Sequence, residues 1–125
     1  MKKVIISNEA PAAIGPYSHA ILTDNIAFLS GQIPLDPSTG KLVEGGIEEQ
    51  TVQVLKNISA ILNTAGLTFD NVIKTTVFLS DLANFKTVNE IYGKYFTSDC
   101  PARSCVQVAA LPMGSLVEIE VICAR

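Results

Sequence analysis

Apolar residues change their period several times along the chain, and each change marks an element. Val4-Ile5-Ile6 is a short apolar run that predicts a first strand. Ala20 to Thr23 and Ile26 to Ser30 are two more runs, split by Asp24-Asn25, a pair that tolerates positive φ. A tight hairpin is expected there. Pro34 to Gly40 is a turn-rich loop, closed by Gly45-Gly46. From Ile47 to Ala65 the period lengthens. Val52, Leu55, Ile58, Leu62 and Ala65 recur at three- and four-residue steps and draw one apolar stripe on a long helix. Glu48 and Glu49 fall in its first turn, where the helix dipole favours anions, and Gly66 suits a left-handed cap at its end.

Val72 to Ser80 is rich in β-branched residues and reads as a well-buried strand. Phe85 to Phe96 predicts a second helix with Phe85, Val88, Ile91, Tyr92, Tyr95 and Phe96 on its apolar face and Asn84 as N-cap. Ser104 to Ala109 is a further strand. Leu116 to Ala124 alternates cleanly, with Val117, Ile119, Val121 and Cys123 facing one way and Glu118 and Glu120 the other. Strands, helix, strand, helix, strands is the order of an α+β layer with two helices on one face of a mixed sheet. The opposite face of that sheet is then bare in a single chain.

The 125 residues fit one domain spanning 1–125, and 48% hydrophobic against 17% charged residues describes a packed globule. So high an apolar share in so small a chain favours burial of surface between subunits. The net charge is −3 and the nine basic residues are scattered, so the clustered cations that bind a phosphate backbone are missing. Nothing approaches the ~20 apolar residues needed to cross a bilayer. Cysteines stand at 100, 105 and 123, an odd number with no CxxC, and no secretory leader is recognised at Met1-Lys2-Lys3. Free thiols imply a reducing, cytoplasmic compartment.

The chemistry starts from scarcity. His19 is the single histidine, no zinc-ligand spacing exists, and neither GxGxxG nor a P-loop occurs, so neither a metal nor a cofactor is expected. His19 reads as an ordinary surface or rim residue. Arg103, after Pro101, offers a planar fork that pairs with a carboxylate through two parallel hydrogen bonds. Its alternative is a structural salt bridge with Glu118 or Glu120. Those two carboxylates project from one strand face roughly 6.6 Å apart, either as a general acid/base or water-orienting group or as a solvated face. Cys105 lacks a neighbouring His to lower its pKa and reads as a buried structural thiol rather than a nucleophile. Tyr17, on the constrained Gly15-Pro16 turn, is either a site hydroxyl or a rim aromatic.

Ala13-Ile14-Gly15-Pro16-Tyr17-Ser18, Ser30-Gly31-Gln32-Ile33-Pro34, Lys74-Thr75-Thr76-Val77, Val88-Asn89-Glu90-Ile91-Tyr92, Pro101-Ala102-Arg103-Ser104-Cys105 and Glu118-Ile119-Glu120 together resemble the RidA family. That family is also called YjgF/YER057c/UK114. The resemblance runs from about residue 5 to the end, in family order and spacing. It implies a chorismate-mutase-like α+β fold and a homotrimer whose three sheets form a central barrel, with sites in the clefts between subunits. It also implies hydrolysis of reactive 2-imino acids, formed as enamines by PLP-dependent dehydratases, to 2-keto acids and ammonia. On that resemblance Arg103 binds the substrate carboxylate, Glu118 positions the attacking water, and the backbone around Cys105 contacts the substrate. Tyr17, Ser30, Gly31, Phe85, Asn89 and Ser104 complete the pocket, partly from the neighbouring subunit. Two other readings attach to the family: an endoribonuclease or translation inhibitor, and a non-catalytic regulator that binds a 2-keto acid.

Overall fold

A computed structural model describes all of residues 1–125. Its elements in chain order are β1 (Lys3–Ile5), β2 (Ala20–Leu22), β3 (Ile26–Gln32), α1 (Ile47–Thr64), β4 (Val72–Leu79), α2 (Phe85–Tyr95), β5 (Ala102–Gln107) and β6 (Val117–Ala124). The strands make one six-stranded sheet in the order β1-β2-β3-β6-β4-β5. Only β4 and β5 run parallel. Parallel neighbours need a crossover connection, and α2 supplies it. The expected mixed α+β layer is observed.

Alternation decides which strand residues are covered. Val117, Ile119, Val121 and Cys123 of β6 are buried beneath the helices together with Val77 and Leu79 of β4. Helix α1 lays Val54, Leu55, Ile58, Ile61 and Leu62 on this surface. Its buried face is rotated from the expected stripe: Val52 and Ala65 lie at the edge, and Val54 and Ile61 take their place. The reason is polar anchoring. Asn57 is buried and donates to the Leu35 carbonyl at 2.9 Å, and Gln50 accepts from the Leu116 N–H at 2.8 Å. Buried polar groups need partners, and these hold the helix by residues that an apolar count ignores.

Both ends of α1 use glycine. Gly66 has φ +75°, and the Leu67 and Gly66 N–H groups close on the Leu62 and Asn63 carbonyls at 2.8 and 3.1 Å, a Schellman stop. At the start, Glu49 accepts from the Gly46 N–H at 2.8 Å. The other boundaries shift by a few residues. β5 begins at Ala102, so Arg103 sits inside the strand, and Asn84 occupies the N-cap of α2 without a side-chain cap bond. The β2–β3 turn contains no residue with positive φ. Thr23 closes it instead, its N–H donating to the Ile26 carbonyl while its hydroxyl accepts from the Ile26 N–H.

The far side of the sheet carries no helix. Phe28 and Val106 on that side are 48% and 43% exposed. Phe28 pairs with Ile122 at one end of this open face and Val106 with Phe78 at the other, and Lys74, Thr76, Glu118 and Glu120 lie between the two apolar pairs.

Candidate active site

The residues nominated from sequence fall into two clusters. Tyr17, Ser30, Gly31 and Glu118 line one cleft of about 340 Å³, closed by Ile14, Ile33 and Pro112. A register slip and a glycine build it. The β3–β6 ladder slips between Leu29 and Gln32, and this bulge swings Ser30 and Gly31 out of regular pairing beside Glu118. Gly31 then makes room for the carboxylate. A methyl group there would lie 3.0 Å from Glu118 Cδ, 3.2 Å from Cγ, and closer still to Oε2. The need for glycine is space, since Gly31 does not lie in the left-handed region. Ser30 is fixed twice: its hydroxyl donates to the Ser18 carbonyl at 2.7 Å and its N–H to the His19 carbonyl at 3.0 Å. Tyr17 is held by a tight turn from its N–H to the Gly15 carbonyl at 2.9 Å. Glu118 is half-buried, and desolvation, with a smaller push from Glu120, raises its pKa above the ordinary glutamate value of 4.5.

The second cluster surrounds Arg103. The Arg103 Nη1 donates to Asn89 Oδ1 at 2.8 Å, and the guanidinium carbon lies 4.8 Å from the Tyr92 ring centre and 5.4 Å from that of Phe85. Two aromatic rings and one amide thus hold the guanidinium against α2, while the residue as a whole stays exposed. Tyr92 is in turn bonded to buried Thr75 at 2.7 Å. Burial raises the Tyr92 phenol above its ordinary value, so the ring stays neutral beside the cation. An adjoining cleft of about 380 Å³ is lined by Asn89, Tyr92, Phe96, Cys100 and Arg103.

These two clusters lie on opposite faces of the sheet. Arg103 pairs with Thr75, which points into the helix layer, whereas Glu118 pairs with Phe78 on the open side. The two residues are two strands apart and three residues out of step, so their Cα atoms lie about 14 Å apart by strand geometry, with side chains diverging. A salt bridge from Arg103 to Glu118 or Glu120 within one chain is ruled out by this placement. So is a one-chain site with both residues on one substrate.

The remaining residues singled out in the sequence are placed as follows. His19 is not a rim residue; it is 2% exposed, and both ring nitrogens are bonded. Ser104 turns its hydroxyl to the open face, where it accepts from Lys74 Nζ at 3.0 Å, away from the Arg103 cluster. Cys105 is only partly covered, and its thiol is raised by desolvation more than Arg103 lowers it. β5 has a partner on one side only, so alternate backbone groups along Arg103, Ser104 and Cys105 remain free for a ligand or a second chain. Tyr92, Ile14, Ile33 and Pro112 were not nominated. Tyr92 is in the core, as its place on the apolar face of α2 predicts, and meets Arg103 from there; the other three carry no polar signal.

Comparison with known proteins places the chain by sequence and by fold. Residues 7–125 match the family described as endoribonuclease L-PSP. The chain is 55% identical over 122 residues to the human 2-iminobutanoate/2-iminopropanoate deaminase, covering 98% of this chain and 89% of that one. Among solved structures, a member of the conserved Rid protein family from Yersinia pestis superposes with a TM-score of 0.97 at 55% identity, covering both chains fully. TdcF of E. coli, crystallised with bound serine, gives 0.94 at 43% identity over 98% of each chain. With sequence and fold in agreement over nearly its whole length, the chain belongs to the RidA (YjgF/YER057c/UK114) family.

Proposed function

We propose that this chain is a 2-imino acid deaminase, hydrolysing 2-iminobutanoate and 2-iminopropanoate to the 2-keto acids and ammonia at a site assembled from two subunits of a homotrimer. The activity is that of the human relative, at 55% identity. The division of labour is the one the family resemblance implies, and the geometry of the site supports it. The single observation that carries the two-subunit reading is the placement of Arg103 and Glu118 on opposite sheet faces. A neighbouring copy seated on the helix-free face brings its own Arg103 cluster toward the Glu118 cleft and covers Phe28 and Val106.

The residues suit the reaction. A 2-imino acid carries a carboxylate beside a protonated C=N bond. Arg103, held by Asn89 and the two rings, binds the carboxylate as a preorganised bidentate fork, so little order is lost on binding. Free backbone groups of β5 around Cys105 reach the same end of the substrate. Across from it Glu118 holds a water. The water oxygen attacks C2, the C=N π pair moves to nitrogen, and Glu118 takes the water proton. The protonated carboxyl then returns that proton to the amine, the C–N bond breaks as the hydroxyl oxygen's lone pair forms the C=O bond, the hydroxyl proton passes to the Glu118 carboxylate, and the leaving ammonia carries it away as ammonium. A carboxyl with a raised pKa suits both directions of transfer, and the cationic iminium keeps it ionised until attack. A cleft of about 340 Å³ lies at the low end for ligand sites, which matches a four-carbon acid, and Ile14 and Ile33 offer the short alkyl group an apolar seat.

The test couples threonine dehydratase to the protein and follows 2-oxobutanoate release against a nucleophile that scavenges the imine. Wild type accelerates release. Glu118→Gln binds 2-oxobutanoate but turns over at least a hundredfold more slowly, and unchanged turnover rejects the water-positioning role. RNA cleavage that survives Arg103→Ala would favour the ribonuclease reading, against which the net charge of −3 speaks. No helix is long and apolar enough to cross a membrane, and we place the reaction in the cytoplasm, where thiols stay reduced.

A further inference from the structure

His19 is the single histidine, and its ring is buried and fully committed. The Ser7 N–H donates to Nδ1 at 2.9 Å, and Nε2 lies 2.8 Å from the Pro11 carbonyl. A carbonyl only accepts, so the hydrogen is on Nε2 and the ring is the neutral Nε2–H form, with Nδ1 as acceptor. Ser7 is also buried and is tied to α1, its hydroxyl accepting from Thr64 Oγ1 at 2.8 Å and approaching the Ala60 carbonyl at 3.4 Å. The ring therefore bridges a stretch already fastened to the helix layer and the start of β2.

What lies between its two ends gives this bridge a consequence. Pro11 and His19 are buried, whereas Ala12 through Tyr17 are exposed. This segment leaves the protein at Pro11 and returns at Ser18-His19, so the Nε2–Pro11 bond closes the base of an arch. The arch carries Ile14 and Tyr17 into the Glu118 cleft. At its returning foot, the Ser18 and His19 carbonyls take both Ser30 bonds, so the same residue pair also fixes the Ser30 hydroxyl and N–H. Within the arch the one backbone bond is the local turn at Gly15-Tyr17. Apart from the two Ser30 bonds at that foot, no hydrogen bond from the rest of the chain holds residues 12–17 against the cleft.

We propose that His19 is a positioning residue for the active site: its neutral ring clasps Pro11 and so sets where Ile14, Tyr17 and Ser30 stand around the substrate. This rests on the reading of the Tyr17–Glu118 cleft as the binding site. It predicts a split between two conservative variants. His19→Asn keeps an amide near Ser7 but is too short to reach Pro11. His19→Gln carries an acceptor and a donor in one planar group and reaches both.

The experiment measures 2-oxobutanoate binding by calorimetry, with imine turnover alongside, in wild type, His19→Asn, His19→Gln, Tyr17→Ala and Leu62→Ala. Leu62 is a core residue outside the cleft lining and calibrates the effect of lost stability. The expected result is binding at least tenfold weaker in His19→Asn, near wild type in His19→Gln, at least tenfold weaker in Tyr17→Ala and unchanged in Leu62→Ala. If His19→Asn binds as wild type while Tyr17→Ala is weak, the clasp is overturned and the cleft stands. Equal weakening in His19→Asn and Leu62→Ala also overturns it, as a stability effect. If Tyr17→Ala binds normally, the cleft assignment falls, and the clasp with it.

Discussion

Gly31→Ala tests how Glu118 is placed. Alanine is compatible with this backbone, which lies outside the left-handed region, so no strain arises from φ. Its Cβ would lie 3.0 Å from Glu118 Cδ and 3.2 Å from Cγ, where carbon atoms settle at about 3.5–4.0 Å. The carboxyl carbon must therefore retreat by about 0.5–1 Å, and the oxygen nearest the methyl by more. Since the carboxylate is the half-exposed end of a flexible side chain, it can swing away, and stability should change by less than about 1 kcal/mol. Catalysis is less forgiving, because a misplacement of about 1 Å costs roughly a hundredfold in rate. The coupled dehydratase assay should show kcat down about a hundredfold, with 2-oxobutanoate still bound through Arg103 and a thermal midpoint within a few degrees of wild type. A Gly31→Ala enzyme within threefold of the wild-type rate would refute the idea that this glycine is the seat of the Glu118 carboxylate.

Glu118→Gln should be more stable than wild type at neutral pH as well as inactive. A raised folded-state pKa means that Glu118 favours the folded state below its unfolded value and loses that contribution as pH rises through the folded value. The stability gap measured by thermal melting should therefore narrow as pH falls toward 4.5. Asn89→Ala releases one nitrogen of Arg103 and should weaken 2-oxobutanoate binding roughly fivefold, about 1 kcal/mol, with kcat little changed. The Cys123 thiol, fully buried and pushed up to about 11, should resist iodoacetamide at pH 7.5 in the native protein and react once denaturant is added.

Elements with strong periodicity were legible in the sequence because one physical rule dominates each. β6 alternates, β4 is β-branched, and Gly66 ends α1 as a left-handed cap. The errors arise where polar contacts override apolar counting. The face of α1 turns on Gln50 and Asn57, and His19 is buried because Ser7 and Pro11 are close in space though distant in sequence. For the site, residue types and motifs picked out Arg103, Glu118 and Tyr17, but not their separation. Which sheet face a residue occupies depends on register, and the crossover that brings β5 beside β4 is invisible to local pattern. Gly31 shows the same limit. Its role follows from a bulge in β3 and a carboxylate from β6, two elements far apart in the chain.

The division of the site between two chains is the central claim, and subunit mixing tests it most directly. Arg103→Ala and Glu118→Gln are each expected to be nearly inactive, the first through loss of about 3 kcal/mol of charge-assisted binding, roughly a hundredfold. Unfolded together in equal amounts and refolded, they form trimers in which some clefts pair an intact Arg103 from one variant with an intact Glu118 from the other. Random pairing makes about one quarter of the clefts complete, so the mixture should recover about a quarter of wild-type activity. If both residues served one cleft from the same chain, no complete site would form, and a mixture as inactive as its parents would contradict the account.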